Sequence, residues 1–329
     1  MDNTSDIPRP SLADGTISTS SWLLLGLLSL LWGGSFLFNE AALRDTSPLI
    51  IITSRSAIAS VALLVITRAA GYRMPRSLSL WASFFVMGAL NNLIPMLLIA
   101  NAQTRITGGF ASILMATTPL CTALTARMFT NDSRERLSGR GWIGIGLGFI
   151  GVVVLMGPSA LIGARFDLLA ETAVLCASVS YGFANIFGRR FADSPPIVSA
   201  AGQLTGTAVM AVPLTLAAQG IPDLSSFSIT TWVALFGLAL LSTACAYVLF
   251  FWILARTGAI ASSLVTLMIP VTAIILGNVW FGDPIVLAHL FGMLLIGIGL
   301  VTLDTRLSRL FAVIAPTHRQ RKLKHAEKA

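Results

Sequence analysis

Long apolar runs separated by brief polar punctuation make up almost the whole chain. A helix that crosses a bilayer needs about 20 mostly apolar residues. Ten runs meet that length, at roughly 21–40, 48–67, 79–101, 107–129, 139–156, 168–188, 196–218, 230–253, 259–281 and 285–303. The connections between them are mostly under a dozen residues, which leaves no room for a soluble domain. The pattern predicts an all-α membrane protein. Two runs carry a proline in their middle: Pro119 in "ILMATTPLCTAL" and Pro270 in "LVTLMIPVTAIIL". Proline lacks an N–H, and its ring clashes with the carbonyl four residues back. Pro119 therefore frees the carbonyl of Met115, and Pro270 frees that of Thr266.

The two prolines are matched positions of a repeat. At an offset of 151, Trp81 meets Trp232, Arg105 meets Arg256, Ser112 meets Ser263 and Pro119 meets Pro270. At 149, Trp32 meets Tyr181 and Gly33 meets Gly182; at 148, Gly144 meets Gly292 and Gly151 meets Gly299. Each half holds five runs, and five is odd, so the second half enters the membrane from the opposite side. The predicted architecture is ten transmembrane helices in two inverted five-helix repeats, the design of secondary transporters.

Composition and charge refine this picture. Hydrophobic residues are 55% of the chain and charged residues 11%, with a mean hydropathy of +0.82. Lys and Arg in the loops set orientation. With the N-terminus inside, only Arg44, Arg105 and Arg165 of the 22 Lys and Arg fall in external loops. Both termini are therefore expected to be cytoplasmic. The polar start, residues 1–20, reads as a disordered cytoplasmic tail and not a cleaved leader. The basic segment 306–329 carries much of the net charge of +8 and reads as an anchor on anionic headgroups, with no nucleic-acid partner implied. Cys121, Cys176 and Cys245 lie inside apolar runs and read as small buried hydrophobes. Three histidines without clustering suggest no metal, and no other cofactor is expected.

The stretch "LLWGGSFLFNEAAL…SPLIIITSRSAIA" resembles the opening of an EamA domain, the repeat unit of the drug/metabolite transporter superfamily. "ACAYVLFFWILARTGAIASSLVTLMIPVTAIILGNVWFGDPIVLAHLFGMLLIGIGL" resembles the end of a second. The segment "NDSRERLS" departs from the shorter acidic turn usual there. The resemblance implies repeats at 21–156 and 168–305, joined by a linker at 157–167. It also implies a central cavity lined by the first, third, fourth, sixth, eighth and ninth spans. Many members export amino acids or other small metabolites, and the YddG-like aromatic-amino-acid exporters are one branch that fits.

A carrier must hold its solute in mid-membrane, where polar side chains are expensive and need a reason. Trp32 lies about halfway through the first span, with Ser35 and Asn39 on the same helical face. Tyr181 and Asn185 form the matching pair in the sixth span, and Tyr247 follows Ser242 and Thr243 in the eighth. Asn91 and Asn92 are adjacent in the third; at most one is expected to face the cavity, the other bonding a neighbouring helix. Together these residues predict a binding site of amides, hydroxyls and aromatic faces, suited to an uncharged, zwitterionic or amphipathic solute. Trp22, Trp81, Trp142, Trp232, Trp252 and Trp280 read as an interfacial belt. Arg55 reads as a structural arginine that snorkels or bonds a helix end, because Gln203 stands at the matching place and the second span is peripheral in the family. The alternative is a partner for a solute carboxylate. No obvious buried acid suggests itself for proton coupling. Pro119 and Pro270, with the carbonyls of Met115 and Thr266, read as paired hinges. Glycines of the fifth and tenth spans predict close helix packing within one chain.

The expected function is a secondary carrier in the inner (plasma) membrane, exporting amino acids or small amphipathic metabolites. A multidrug exporter would use the same cavity. A membrane enzyme would need a nucleophile–base or metal arrangement, which the scattered carboxylates and the lone membrane His289 do not suggest. The expected partners are a small-molecule solute and the bilayer; the oligomeric state stays open.

Overall fold

The computed structural model describes residues 17–106, 108–131, 137–162, 167–282 and 284–304. The basic tail, most of the N-terminal segment, Asp283, and Arg134, Arg136 and Arg165 of the charge count lie outside these. The described secondary structure is helical throughout. Helices α1 (Thr19–Gly33) and α2 (Ser35–Ala42) form the first run, and α3 (Pro48–Ala69) the second. The third is α4 (Leu78–Gly88), a π-helical turn at Ala89–Leu93, and α5 (Ile94–Ala102). Next come α6 (Gly108–Met115), α7 (Thr118–Phe129), α8 (Gly139–Ile162), α9 (Leu168–Gly188) and α10 (Pro196–Gln219). Helix α11 (Ile229–Ala239) runs through a second π turn at Leu240–Cys245 into α12 (Ala246–Ser263), followed by α13 (Val265–Phe281) and α14 (Leu287–Leu303).

Seven of the described helical stretches are long and apolar enough to cross a membrane. The other three expected spans are shorter or broken. The run at 107–129 is interrupted at Ala116 and Thr117, between α6 and α7. The run at 259–281 joins the one before it without a loop: φ is 84° at Gly258, a value glycine adopts without strain, and a further break at Leu264 precedes α13. The last, α14, has 17 residues. Helix starts follow local chemistry. Ser18, Ser47 and Ser228 cap α1, α3 and α11 through their hydroxyls, and Asp167 caps α9 through its carboxylate.

Small residues set the closest helix contacts. A Cβ on Gly144 would meet the Gly299 carbonyl at 2.7 Å, and one on Gly151 would meet the Ile296 nitrogen at 2.7 Å. The glycine faces of α8 and α14 thus pack on each other within one chain. Gly33 of α1 lies against Thr272 and Ala273 of α13, while Gly182 of α9 lies against Cys121 and Thr122 of α7. These two contacts are exchanged copies: Gly33 matches Gly182, and Cys121 and Thr122 match Thr272 and Ala273 at the offset of 151. A first-half residue touches the second half, and its counterpart touches the first, as across a two-fold axis. The cysteines depart from expectation. Cys176 and Cys245 are exposed and Cys121 is only partly covered, so these thiols are not core hydrophobes.

Candidate functional site

The two π turns occupy equivalent places in the halves, Ala89 and Leu240 being 151 residues apart. A π turn leaves backbone carbonyls without their regular helical partners, and hydroxyls supply the missing donors. In the first, Pro95 has no N–H for the Asn91 carbonyl, which instead accepts from the Tyr247 hydroxyl at 3.2 Å. Ser180 donates to the Leu90 carbonyl at 2.8 Å. In the second, Thr243 donates to the Leu238 carbonyl at 2.7 Å.

Each π turn is also held by the second span of the opposite half. Arg55 of α3 donates through Nε to Thr243 Oγ1 at 2.9 Å and through Nη2 to the Ser242 carbonyl at 3.4 Å. Gln203 of α10 accepts from Asn91 Nδ2 at 3.1 Å, and one turn on, Thr207 accepts from Asn92 Nδ2 at 3.3 Å. Arg55 and Gln203 are the matched pair of the sequence repeat, so one joint is built twice.

Between the halves lies a cavity of about 630 Å³. Trp32, Ser35, Asn39, Asn91, Tyr181, Asn185 and Tyr247 line it, drawn together from α1, α2, the first π turn, α9 and α12. Trp32 meets Tyr247 edge-on at 5.9 Å between ring centroids and Phe250 at 6.0 Å. Asn92, Ser242 and Thr243 do not line the cavity; they are buried behind its wall, where Asn92 Oδ1 accepts from Tyr247 at 2.6 Å. Both asparagines bond α10 through their amides, and of the two only Asn91 also reaches the cavity. Met115 and Thr266 also reach the cavity, whereas Pro119 and Pro270 do not line it. Pro119 sits in the first turn of α7, where its missing N–H is an orphan in any case, and the Met115 carbonyl it frees accepts from Thr118 Oγ1 at 2.7 Å. Pro270 lies inside α13, beyond the break at Leu264, so the two prolines stand differently to the breaks beside them.

The mouth is marked by Glu40, Leu43, Pro48, Gln103 and Thr104, at the ends of α2, α3 and α5. Beside it, Asp45 accepts from Ser228 N at 2.9 Å and Thr231 Oγ1 at 2.6 Å, tying the α2–α3 loop to α11. Hydrogen bonds from Ser228 and Thr231 hold its carboxyl down at about 2. A depressed carboxyl of this kind favours the folded form at neutral pH, and that contribution is lost as pH falls from about 4 toward 2. At the other end the cavity floor passes into packed aromatics. Phe250 meets Phe251 at 5.4 Å, Phe251 meets Phe191 at 5.9 Å, and Phe191 stacks on Phe84 at 5.1 Å.

Several positions depart from the sequence-based expectation. Arg55 lines the cavity, and with Pro48, Ile51 and Ile52 it brings the second span into a wall where none of that span was expected. Phe250, Ser112, Ser262 and Ser263 join it. Trp22, near the start of α1, also packs against the core, and its indole N–H donates to Asp304 at 2.9 Å. Asp304 is a buried acid at the end of α14, outside the cavity, also accepting from Ile17 N at 3.3 Å. Among the described residues no three His, Cys, Asp or Glu side chains gather in a way that could hold a metal.

Known proteins share this fold and sequence. A solved crystal structure matches with a TM-score of 0.73 at 20% identity, over 89% of this chain and 99% of its own, which speaks to the fold alone. The uncharacterized transporter YoaV of Bacillus subtilis is 26% identical over 84% of this chain and 95% of its own length. The uncharacterized inner membrane transporter YedA of Escherichia coli is 24% identical, over 88% and 92%. An uncharacterized transporter of Archaeoglobus fulgidus is 25% identical, over 85% and 98%. The EamA-like transporter family matches twice, at residues 20–157 and 168–303. The chain belongs to that family and is a multi-pass membrane transporter rather than an enzyme.

Proposed function

We propose that this transporter is a secondary carrier that moves amino acids or small amphipathic metabolites across the inner membrane by alternating access, in the export direction. Ten helices in two inverted five-helix repeats, bounded near 21–156 and 168–305, form its frame, with both termini cytoplasmic. The observation that carries this reading is a cavity of about 630 Å³ between two halves whose contacts exchange across a two-fold relation, open at one end and closed by aromatics at the other. Its volume lies in the range of small-molecule sites. In the orientation set by loop Arg and Lys, the mouth faces outward. An inward-facing state follows if the two halves exchange conformations.

Within this reading, Trp32, Tyr181 and Tyr247 contact the solute, with Ser35, Asn39, Asn91 and Asn185 offering hydrogen bonds. Asn92, Ser242 and Thr243 brace the wall from behind. Pro119 and Pro270 act as hinges in the fourth and ninth spans, through the carbonyls of Met115 and Thr266. The aromatic walls also favour a second reading, a multidrug exporter. Counterflow of radiolabelled amino acids and of lipophilic cations in proteoliposomes separates the two. Trp32→Ala should lower transport of the accepted class about tenfold or more, while Trp142→Ala, at an exposed site, should leave it near normal. Equal losses at equal expression would remove Trp32 from the site.

A further inference from the structure

Arg55 is the buried charge of the cavity wall, while Glu40 stands exposed at the mouth. The Arg55 side chain is only 8% exposed, within a 22-residue apolar helix, and it lines the cavity. Burying an ionised group without a counter-charge is expensive, and such groups are paired or serve a function. No carboxylate lies within ion-pair distance of Arg55 among the described residues. Its hydrogen bonds go to two neutral oxygens, Thr243 Oγ1 and the Ser242 carbonyl. A guanidinium has five N–H donors, so about three remain unmatched. Planar donors of this kind match the two oxygens of a carboxylate.

The bonds to Thr243 and Ser242 do more than satisfy two donors. They fix the guanidinium against the second π turn, so that it meets a ligand already oriented, with little rotamer freedom left to lose. Trp32, Phe250 and Tyr247 stand on the same cavity. A solute with a carboxylate at one end and an apolar or aromatic body at the other would answer both features. The neutral Gln203 at the matched position lies outside the cavity, so the charge belongs to this one joint and not to the repeat.

We propose that Arg55 is a specificity-determining residue that holds the carboxylate of the transported solute, which makes the substrate class small carboxylate-bearing amphipathic solutes. This rests on the carrier reading above.

The test uses purified full-length protein in proteoliposomes, with L-phenylalanine, 3-phenylpropionate and phenethylamine as probes. They share the ring and differ in which charged group they keep. Wild-type protein should counterflow at least one of the two carboxylates and not the amine. Arg55→Gln, which copies the matched residue, should lower carboxylate transport about tenfold or more. Its melting temperature reports folding. Thr243→Val, which removes the brace but keeps the charge, should retain the preference for carboxylates at reduced rate. A folded Thr243→Val protein that loses carboxylate transport as fully as Arg55→Gln would show that transport needs the intact π-turn joint and not the charge, and would overturn the inference. Wild-type transport of phenethylamine without the carboxylates also overturns it and leaves the carrier reading standing. So does carboxylate transport by a folded Arg55→Gln protein at the wild-type rate. Wild-type protein that moves none of the probes, the twenty amino acids or lipophilic cations overturns both.

Discussion

The two π-turn joints share a plan and differ in what they do with it. At one, Arg55 bonds the turn of the opposite half and also reaches the open cavity. At the other, Gln203 bonds its turn with no exposed surface, and its Nε2 has no hydrogen-bond partner. The second joint is tighter. A Cβ on Gly88 would meet the Gln203 carbonyl at 2.7 Å, while the matched position in the other half, Ala239, already carries one. The joint occurs once in each half, with a cation on the open side and a sealed amide on the closed side. A buried donor without a partner calls for a reason. In the proposed exchange of states the sealed joint opens, and the Gln203 N–H would then meet water or solute.

The largest expected effect separates the two joints directly. Arg55→Leu should reduce carboxylate transport about a hundredfold, through loss of the charge, while the protein stays folded because a buried ion is replaced by an apolar group. Gln203→Leu should leave transport within about threefold, since the cavity loses no charge. Comparable losses in both would mean that the joints serve only as structure. The next effect concerns packing: Gly88→Ala should destabilise the protein by about 2 kcal/mol, read as chemical unfolding in detergent micelles. No change there would show that the sealed joint has slack.

Much of the frame is legible in the chain, and the reasons that some of it is not are local. Length and apolarity locate the helices, and the offset of 151 locates the matched positions. The π turns leave no such trace. Only Pro95 hints at one, by withholding an N–H from the Asn91 carbonyl, and the second turn has Ala246 at the matched place. Arg55 reads as peripheral in the sequence because α3 is apolar on most faces, and a sequence does not say which face of such a helix meets a cavity. The indole bond of Trp22 leaves no trace in the sequence because its partner, Asp304, lies 282 residues away. Trp32, Tyr181 and Tyr247 are legible as candidates because aromatic and polar groups are scarce in mid-span, so each stands out against leucine and valine.

Smaller effects sharpen the comparison further. Tyr247→Phe removes the donor to the Asn91 carbonyl and to Asn92 Oδ1, on the sealed side's turn, and should cost about 1 kcal/mol of stability. Thr243→Val, on the open side's turn, should cost more, about 2 kcal/mol, because it removes the donor to the Leu238 carbonyl and the acceptor of the buried Arg55 Nε together. Chemical unfolding of both variants in micelles gives the order, and the reverse order would show that the Arg55–Thr243 bond adds little to the open side's turn. The hinge pair comes last in size. Pro270→Ala restores a backbone donor inside α13 and should slow turnover about threefold without weakening solute binding; Pro119→Ala, at the first turn of α7 where Thr118 already bonds the Met115 carbonyl, should slow it less. In the proposed inverted arrangement of the halves they should bias the carrier toward opposite states. Unchanged turnover in both would leave the prolines as static kinks.

Exchange of conformation between the halves underlies the proposed cycle, and paired distances test it most directly. One spin-label pair goes on Leu43 and Thr104 at the cavity mouth, and a second on their repeat counterparts, Ala192 and Ala255. Double electron–electron resonance on purified protein in nanodiscs, with and without a transported solute, then reports both ends. Two populations are expected, in which the mouth pair shortens as the counterpart pair lengthens, in the same fraction of molecules. Distances that stay fixed at both ends, or that change in the same direction, would contradict alternating access.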